Sequence, residues 1–437
     1  MFKSGITLAY LSLIVSLAGC SANSNLFAPW TRVVITSNGA VGDGKTLNTQ
    51  LIQKSIDQMY AAGGGTVAIP KGVFLSGAIF LKPGVRLELQ KDAVLKGTTN
   101  ISDYPISMTR IEGHFQPWLP ALVNADHCDH LRISGPGTLD GSGQPFWAEF
   151  RSRVRANRAT TNLDVKRPRL MFIRDCADVR ITGLHFKDSA FWNLHLYRCN
   201  HVTIDGIDIH EPPGAPSTDG VDVDSCQYVT VSNSTIANSD DCIALKGSKG
   251  PLAMDDKDSP PDEHIHVVGC TITQGPVIVT CGSEATIVRD VLIEHCTIAA
   301  GQGTRNLSLL RLKLRPDTPQ AYSDITVRDI TLNGGGNLIA VAPWTQYFDL
   351  QGHKPPTSSV HDVTFSDIHG TCASFGSIRG NPGDTIERIT FENIDVKVNN
   401  PRPQLSTVRD LVINNVKING KEYTAPAAQT ATTRRSN

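Results

Sequence analysis

Val179-Arg-Ile-Thr-Gly-Leu-His-Phe186 is followed 23 residues later by Val202-Thr-Ile-Asp-Gly-Ile-Asp-Ile209. Each stretch opens with an apolar–polar–apolar triplet, breaks at one or two polar residues or a glycine, and resumes as a second short apolar run. Val229-Thr-Val-Ser-Asn-Ser-Thr-Ile236 and Ile265-His-Val-Val-Gly-Cys-Thr-Ile272 repeat the pattern, and further copies begin at Val291, Ile325, Val363, Ile389 and Leu411. Successive starts are separated by 23, 27, 36, 26, 34, 38, 26 and 22 residues. A floor near 22 residues with a variable excess marks a solenoid that carries insertions of different length on its faces. Alternation within each triplet turns one side chain outward and two inward, which is strand geometry. Strands this short, at this spacing, stack as the coils of a parallel β-helix. Propeller blades need about 40 residues each. The fold class is therefore all-β, a parallel β-helix, with Asn233 and Asn393 suited to left-handed corners.

The segment Asn48–Ala62 reads as an amphipathic helix, with Asn48 as N-cap and Gly63-Gly64-Gly65 as its stop. It is expected to cover the open N-terminal end of the solenoid.

The first residues carry an address. Lys3 is followed by an apolar stretch from Gly5 to Ala18, too short to span a bilayer. It ends in Leu17-Ala-Gly-Cys20, which looks like a bacterial lipobox with Cys20 as the acylated residue. The expected organisation is a lipoprotein-type signal over 1–19, a short linker over 20–31, one β-helix domain over 32–424 and a disordered tail over 425–437. A lipid anchor is then the only membrane attachment, and the protein belongs to the cell envelope or is secreted. Nine of the 10 cysteines lie beyond this segment. Cys128, Cys176, Cys199 and Cys226 each precede a triplet by three residues, and Cys270 and Cys296 each follow one by three. Equivalent positions in stacked coils point to buried ladders of thiols. The spacing contains no Cys-x-x-Cys pair and the histidines are scattered, so no metal or cofactor is expected.

A net charge of −1 offers no field for nucleic acid, and no nucleic-acid partner is expected. The chemistry lies in two acidic stretches, Ser217-Thr-Asp-Gly220 and Ser239-Asp-Asp-Cys242. Asp219 precedes Asp240 by 21 and Asp241 by 22 residues, about one coil. Residues one coil apart stand about 4.8 Å apart on one face, so the three carboxylates should converge. Strict alternation would split Asp240 from Asp241, so both need to sit at a bend or strand end. Crowded carboxylates repel, and at least one should keep its proton near neutrality. That pairing of acid and base suits glycosidic hydrolysis. Asp219, Asp222 and Asp224 also offer a calcium reading, but the spacing lacks the glycine of a calcium loop. Arg311 and Lys313 lie two apart on a strand, and so on one face, where they could grip a carboxylate. Trp192, Tyr197, Trp344 and Tyr347 are candidates for stacking on sugar rings, although packing is the commoner role of such residues.

At these residues the chain resembles glycoside hydrolase family 28, the polygalacturonases. Gly135-Pro-Gly-Thr-Leu-Asp-Gly141, Ser189-Ala-Phe-Trp-Asn-Leu-His195, Thr218-Asp-Gly-Val-Asp-Val-Asp-Ser-Cys226, Asp240-Asp-Cys-Ile-Ala-Leu-Lys246 and Arg311-Leu-Lys313 carry the likeness, over roughly 32–420. The resemblance implies a right-handed β-helix that inverts at the sugar carbon. Asp240 would be the general acid, and Asp219 and Asp241 would activate water. Arg311 and Lys313 would be the uronate clamp. The partner implied is an acidic plant polysaccharide, cleaved by a monomer. Two positions depart from the pattern: Ser217 stands where the family has Asn, and Pro276 stands where it has His, a residue also lacking in relatives that act on rhamnogalacturonan. A β-helix polysaccharide lyase and a pectin-binding surface protein with weakened turnover are the competing readings.

Overall fold

The computed structural model describes residues 31–299, 307–405 and 408–424. The signal over 1–19, Cys20, nearly all of the linker and the tail over 425–437 lie outside the described residues. No described helix is long and apolar enough to cross a membrane.

Three ladders of parallel strands make up the body. The first contains Val123–Asp126, Met171–Arg174, Leu194–Tyr197, Val221–Asp224, Ile243–Lys246, Val277–Cys281, Ser308–Leu314 and Asn337–Pro343. The second holds the repeated triplets, and all nine pair in register: Val179 with Val202, then Val229, Ile265, Val291, Ile325, Val363, Ile389 and Leu411. The third runs through Thr138–Asp140, His185–Lys187, Asp208–His210, Thr235–Ala237, Thr271–Gln274 and Thr297–Ile298. The parallel β-helix expected from the repeat is the observed fold.

The corners explain the broken pattern between runs. The residue before each triplet is left-handed in every coil from Asp178 (φ 51°) through His201, Tyr228 and His264 to Asp410. The residue four places after each triplet start is left-handed too, in the series Gly183, Gly206, Asn233, Gly269, His295, Asp329, Asp367, Asn393 and Asn415. Gly and Asn occupy most of the second series because they tolerate that region best. Inside the coils, Ile181, Ile204, Val231, Val267, Ile293 and Val327 form one continuous buried row. Each such side chain contributes roughly 1.5–3 kcal/mol of apolar burial. All nine described cysteines are buried and unpaired. The Cys128 N–H points at the Cys176 sulfur (3.1 Å) and the Cys199 N–H at the Cys226 sulfur (3.2 Å), so the thiols do stack as ladders.

The N-terminal helix spans Thr49–Ala61 and buries Ile52, Ile56 and Met59 against the first coils. Asn48 is its N-cap residue, but the side chain does not cap. It binds the Val41 backbone at both N–H and carbonyl instead, fixing the entering chain. A second helix, Gln144–Ala156, and a hairpin of Ser107–Ile111 with His114–Trp118 are insertions. No repeat signal announces either of them, and both lie near the first ladder, where the candidate site is found.

Candidate active site

The first ladder brings the acidic stretches together. Val221 pairs with Ile243, so Asp219 and Asp241, each two residues earlier, hold the same place in successive coils. The Gly220 N–H donates to the Asp241 carbonyl at 2.9 Å, and the Asn193 N–H donates to the Asp219 carbonyl at 2.9 Å. Gly220 is required by this close approach, because a Cβ there would lie 2.4 Å from the Cys242 carbonyl oxygen. The strand begins only at Ile243, so Asp240 and Asp241 sit in the bend before it and escape strict alternation. Asn238 pegs the two bends together, donating to the Thr218 carbonyl (3.0 Å) and the Asp241 carbonyl (2.9 Å). As a result, one carboxylate oxygen from each of Asp219, Asp240 and Asp241 lies within 4.8 Å of the others.

Their surroundings differ. Lys313 Nζ stands 2.6 Å from Asp241 Oδ2 and Arg311 Nη1 stands 3.4 Å from Asp241 Oδ1. Burial alone would raise Asp241, but these two cations hold it below the usual carboxylate range. Asp240 forms no ion pair among the described residues. Burial and the neighbouring Asp219 and Asp241 push it up to about 7. Burial pushes Asp219 up as well, together with Asp222 and Asp241, and is opposed by Lys246 Nζ at 3.2 Å from Asp219 Oδ2. With both Asp219 and Asp240 shifted upward, the cluster holds fewer charges than carboxylates. We place the proton on Asp240, because Asp219 has an ammonium in contact and Asp240 has none.

The carboxylates open into a cavity of about 420 Å³. Arg311 and Lys313 line it, as do Trp192, Trp344 and Tyr347. Lys246 Nζ lies 4.3 Å from the Trp192 ring centre and Lys313 Nζ 4.7 Å from that of Trp344. Tyr197 is elsewhere: its ring is buried and its hydroxyl donates to the Asp258 carbonyl at 2.7 Å. Asp224 is likewise committed, to Arg110 at 3.1 Å, and Asp222 faces Lys246 at 3.3 Å. A cation set already stands where a calcium ion would need free carboxylates. Two surface clusters, Asp126/His127/Asp175 and Glu294/His295/Asp329, bring three ligand atoms together, but arginines occupy their carboxylates.

The two departures have local consequences. Ser217 Oγ donates to Asn162 Oδ1 at 3.0 Å and accepts from buried Arg167 at 3.3 Å. Pro276 contributes only a carbonyl, which accepts from Arg311 Nη2 at 3.2 Å. No histidine is among the described residues lining the cavity.

Several lining residues were not anticipated. Lys246 had a signal, since the alternation of Ile243-Ala-Leu-Lys246 turns its side chain to the face that carries Asp224 in the previous coil. Glu112 had none, because it arrives from the tip of the inserted hairpin.

Comparison with known proteins agrees with this geometry. The chain is 31% identical over 217 residues to a "Probable polygalacturonase" of Vitis vinifera, covering 48% of this chain and 43% of that protein. It thus spans under half the length of that relative. It is 26% identical over 473 aligned positions to the exo-poly-alpha-D-galacturonosidase of Dickeya chrysanthemi, covering 95% of this chain and 76% of that one. The crystal structure of an exopolygalacturonase from Thermotoga maritima superposes with a TM-score of 0.70 at 22% identity, over 88% of this chain and 92% of that one. That likeness gives the fold the right hand expected of it. The model of glycosyl hydrolases family 28 matches residues 62–421, and with the greater part of its length matched, the chain belongs to glycoside hydrolase family 28.

Proposed function

We propose that the protein hydrolyses an α-linked, galacturonate-containing pectic polysaccharide, polygalacturonate or rhamnogalacturonan, with inversion at the sugar carbon. Asp240 gives its proton to the departing glycosidic oxygen. Asp219 and Asp241 draw a proton from the attacking water. Arg311 and Lys313 hold a uronate carboxylate beside the bond that breaks; Arg311 keeps about a fifth of its side chain exposed for this purpose. The observation that carries the reading is the split within one bend: Asp240 is pushed up to about 7 while Asp241 is held low. A proton donor beside an ionised base is what the reaction needs.

The nearest oxygens, within 4.8 Å, are closer than the carboxyl spacing usual for inverting enzymes. Inversion rests on the family's stereochemistry, and the first anomer released, read by proton NMR, checks it. Lyase chemistry is less well served, because the cations that could abstract a proton are already paired with carboxylates. For the same reason a binding protein without turnover fits less well, since the acid and the paired base are both kept.

The lipobox at Cys20 supports export with a lipid anchor, tested by fatty-acid labelling of the parent and of Cys20→Ser; a parent that takes up no label removes the anchor. A monomer is proposed as the working form. The function itself is tested by incubating the enzyme separately with polygalacturonate and rhamnogalacturonan and identifying the reducing-end sugars. Release of new ends from an unrelated glycan but from neither polymer overturns the reading.

A further inference from the structure

A basic insertion borders the cavity. Phe150 and Asn162 both line the cavity wall. The chain between them leaves the wall along the end of the helix Gln144–Ala156 and returns through a turn. Arg151, Arg153, Arg155 and Arg158 lie on this excursion, and all four are exposed. Residues 144–169 carry seven basic side chains against two acidic ones, in a chain whose net charge is −1. The positive excess is therefore local to the insertion.

The two acids do little to offset it. Glu149 pairs with Arg153 at 2.8 Å, one turn along the same helix. Asp164 is turned back on the Thr161 N–H, which donates to it at 2.6 Å. Arg167 and Arg169 are buried, and Lys166 Nζ donates to the Pro117 carbonyl at 2.7 Å. That leaves Arg151, Arg155 and Arg158, none of which has an ion pair among the described residues. Arg151 and Arg155 are four apart, so they share a helix face about 6 Å apart along the axis. Like charges in that relation destabilise a helix. The helix dipole favours cations in the last turn, but it asks for none at 151, a turn earlier, and none at 158, past the end. Arg151 ties the row to the cavity: its Nη2 donates to the carbonyl of Gly214, itself a wall residue, at 2.7 Å. A row of guanidinium groups without carboxylate partners thus leads away from the cavity rim.

We infer that this row is a docking surface for a polyuronate, namely the stretch of substrate chain that lies outside the cavity. The inference rests on the hydrolase reading above. Uronate sugars each carry a carboxylate, and a guanidinium grips a carboxylate through paired N–H donors. Sugars held at the row raise the local concentration of the strand at the cavity and add affinity that a short oligosaccharide cannot use. An anionic lipid surface would match the charge alone. The helix turns Phe146 and Trp147 into the protein, and no large apolar side chain of 144–169 is exposed, so the patch has nothing to insert into a bilayer.

The test compares the full chain with Arg155→Gln/Arg158→Gln. The substrates are polygalacturonate and rhamnogalacturonan, and the shortest oligosaccharide of each that is still cleaved. Arg151 is left in place because it also holds the wall at Gly214. In the double variant, the ratio of polymer to oligosaccharide kcat/KM should fall about three- to tenfold, through a higher KM for the polymer with kcat little changed. Raising ionic strength from about 0.01 to about 0.15 M shortens the screening length from about 30 to about 8 Å, and should cost the parent more on polymer than it costs the variant. Arg153→Gln, whose charge Glu149 already offsets, should keep the parental ratio, and Arg155→Glu/Arg158→Glu should lower it further. A parental ratio in both double variants, or equal losses on polymer and oligosaccharide, would overturn the inference while leaving the hydrolase reading intact. So would co-sedimentation with phosphatidylglycerol vesicles that Arg155→Gln/Arg158→Gln weakens while its polymer kinetics stay parental, which would assign the row to a membrane. Absence of new reducing ends from every pectic polymer removes both readings.

Discussion

Lys313 Nζ lies 2.6 Å from Asp241 Oδ2, and this ion pair makes two adjacent carboxylates chemically different. Asp241 is held ionised, while Asp240, one residue earlier and without a cation of its own, is pushed up to about 7 by burial and by the charges of Asp219 and Asp241. With Asp240 as the proposed general acid, active only while protonated, kcat/KM should fall as pH rises through about 7, approaching tenfold per unit. The acidic limb would then report the proposed bases, Asp219 and Asp241. Lys313→Met removes the main support of Asp241's charge, so that limb should move to higher pH and kcat should drop by about 10²–10⁴. A pH–rate profile of parent and variant checks both, and an unmoved acidic limb in Lys313→Met would sink the assignment.

The same raised carboxyl should cost stability. Asp240 has a folded pKa above its unfolded one, so the folded state binds the extra proton between about pH 4 and about 7. Its favourable contribution is complete below the unfolded pKa and is lost as pH rises through the folded one. Asp240→Asn removes the titration, so the variant should gain on the parent by an amount on the order of a few kcal/mol at pH 8 and by little at pH 5. Denaturant melts at the two pH values read this directly. The variant should also lose nearly all turnover while still binding oligogalacturonate.

Lys246 is expected to be as important as the clamp. Its ammonium stands 3.2 Å from Asp219 Oδ2 and 3.3 Å from Asp222 Oδ1, on a buried side chain in the cavity wall. Lys246→Met would leave two buried carboxylates without a cation, and Asp219 would take up a proton rather than stay charged. Turnover should fall at least a hundredfold, with stability down by about 3–5 kcal/mol. Adding Asp222→Asn removes one of the stranded charges, so the double variant should recover stability relative to the single one. A strictly additive double-mutant cycle would show that the two residues do not act as a unit.

How much of this was legible in the sequence depends on periodicity. The nine triplets from Val179 to Leu411 pair in register because their alternation and spacing are set by the coil itself. The convergence of Asp219 and Asp241 follows from the same count. Asp240 was harder, since its orientation depends on where the strand starts, and that is decided by the bend pegged by Asn238. Glu112 was invisible: it reaches the cavity wall from an inserted hairpin, and a local stretch of sequence does not encode which distant coil it will fold over. The second helix, Gln144–Ala156, was missed for a related reason. Its Trp147 is anchored by donating to the Ser189 carbonyl at 2.9 Å, a tertiary contact with no periodic signature.

The cysteines offer a prediction that separates packing from cross-linking. All nine described thiols are buried and none is paired in a disulfide, and several sit in rows where one backbone N–H points at the next sulfur. The Cys176 thiol and burial push Cys128 upward; Cys176 is pulled down by Cys128 but raised more by Cys199 and burial, to about 12, whereas Cys296 draws Cys270 down. Burial of all nine, Cys270 included, is what keeps them from reagent, so the folded protein should react very slowly with an aromatic disulfide reagent, and a reducing agent should leave its melting temperature unchanged. Cys199→Ala deletes a buried sulfur from the middle of a row and leaves a small cavity, so it should destabilise by about 1–2 kcal/mol. Cys199→Ser keeps the volume but buries a hydroxyl in place of an apolar group, and should cost at least as much. Fast labelling of more than one thiol in the native state, or a melting temperature that falls on reduction, would show that the rows are not the sealed apolar packing described above.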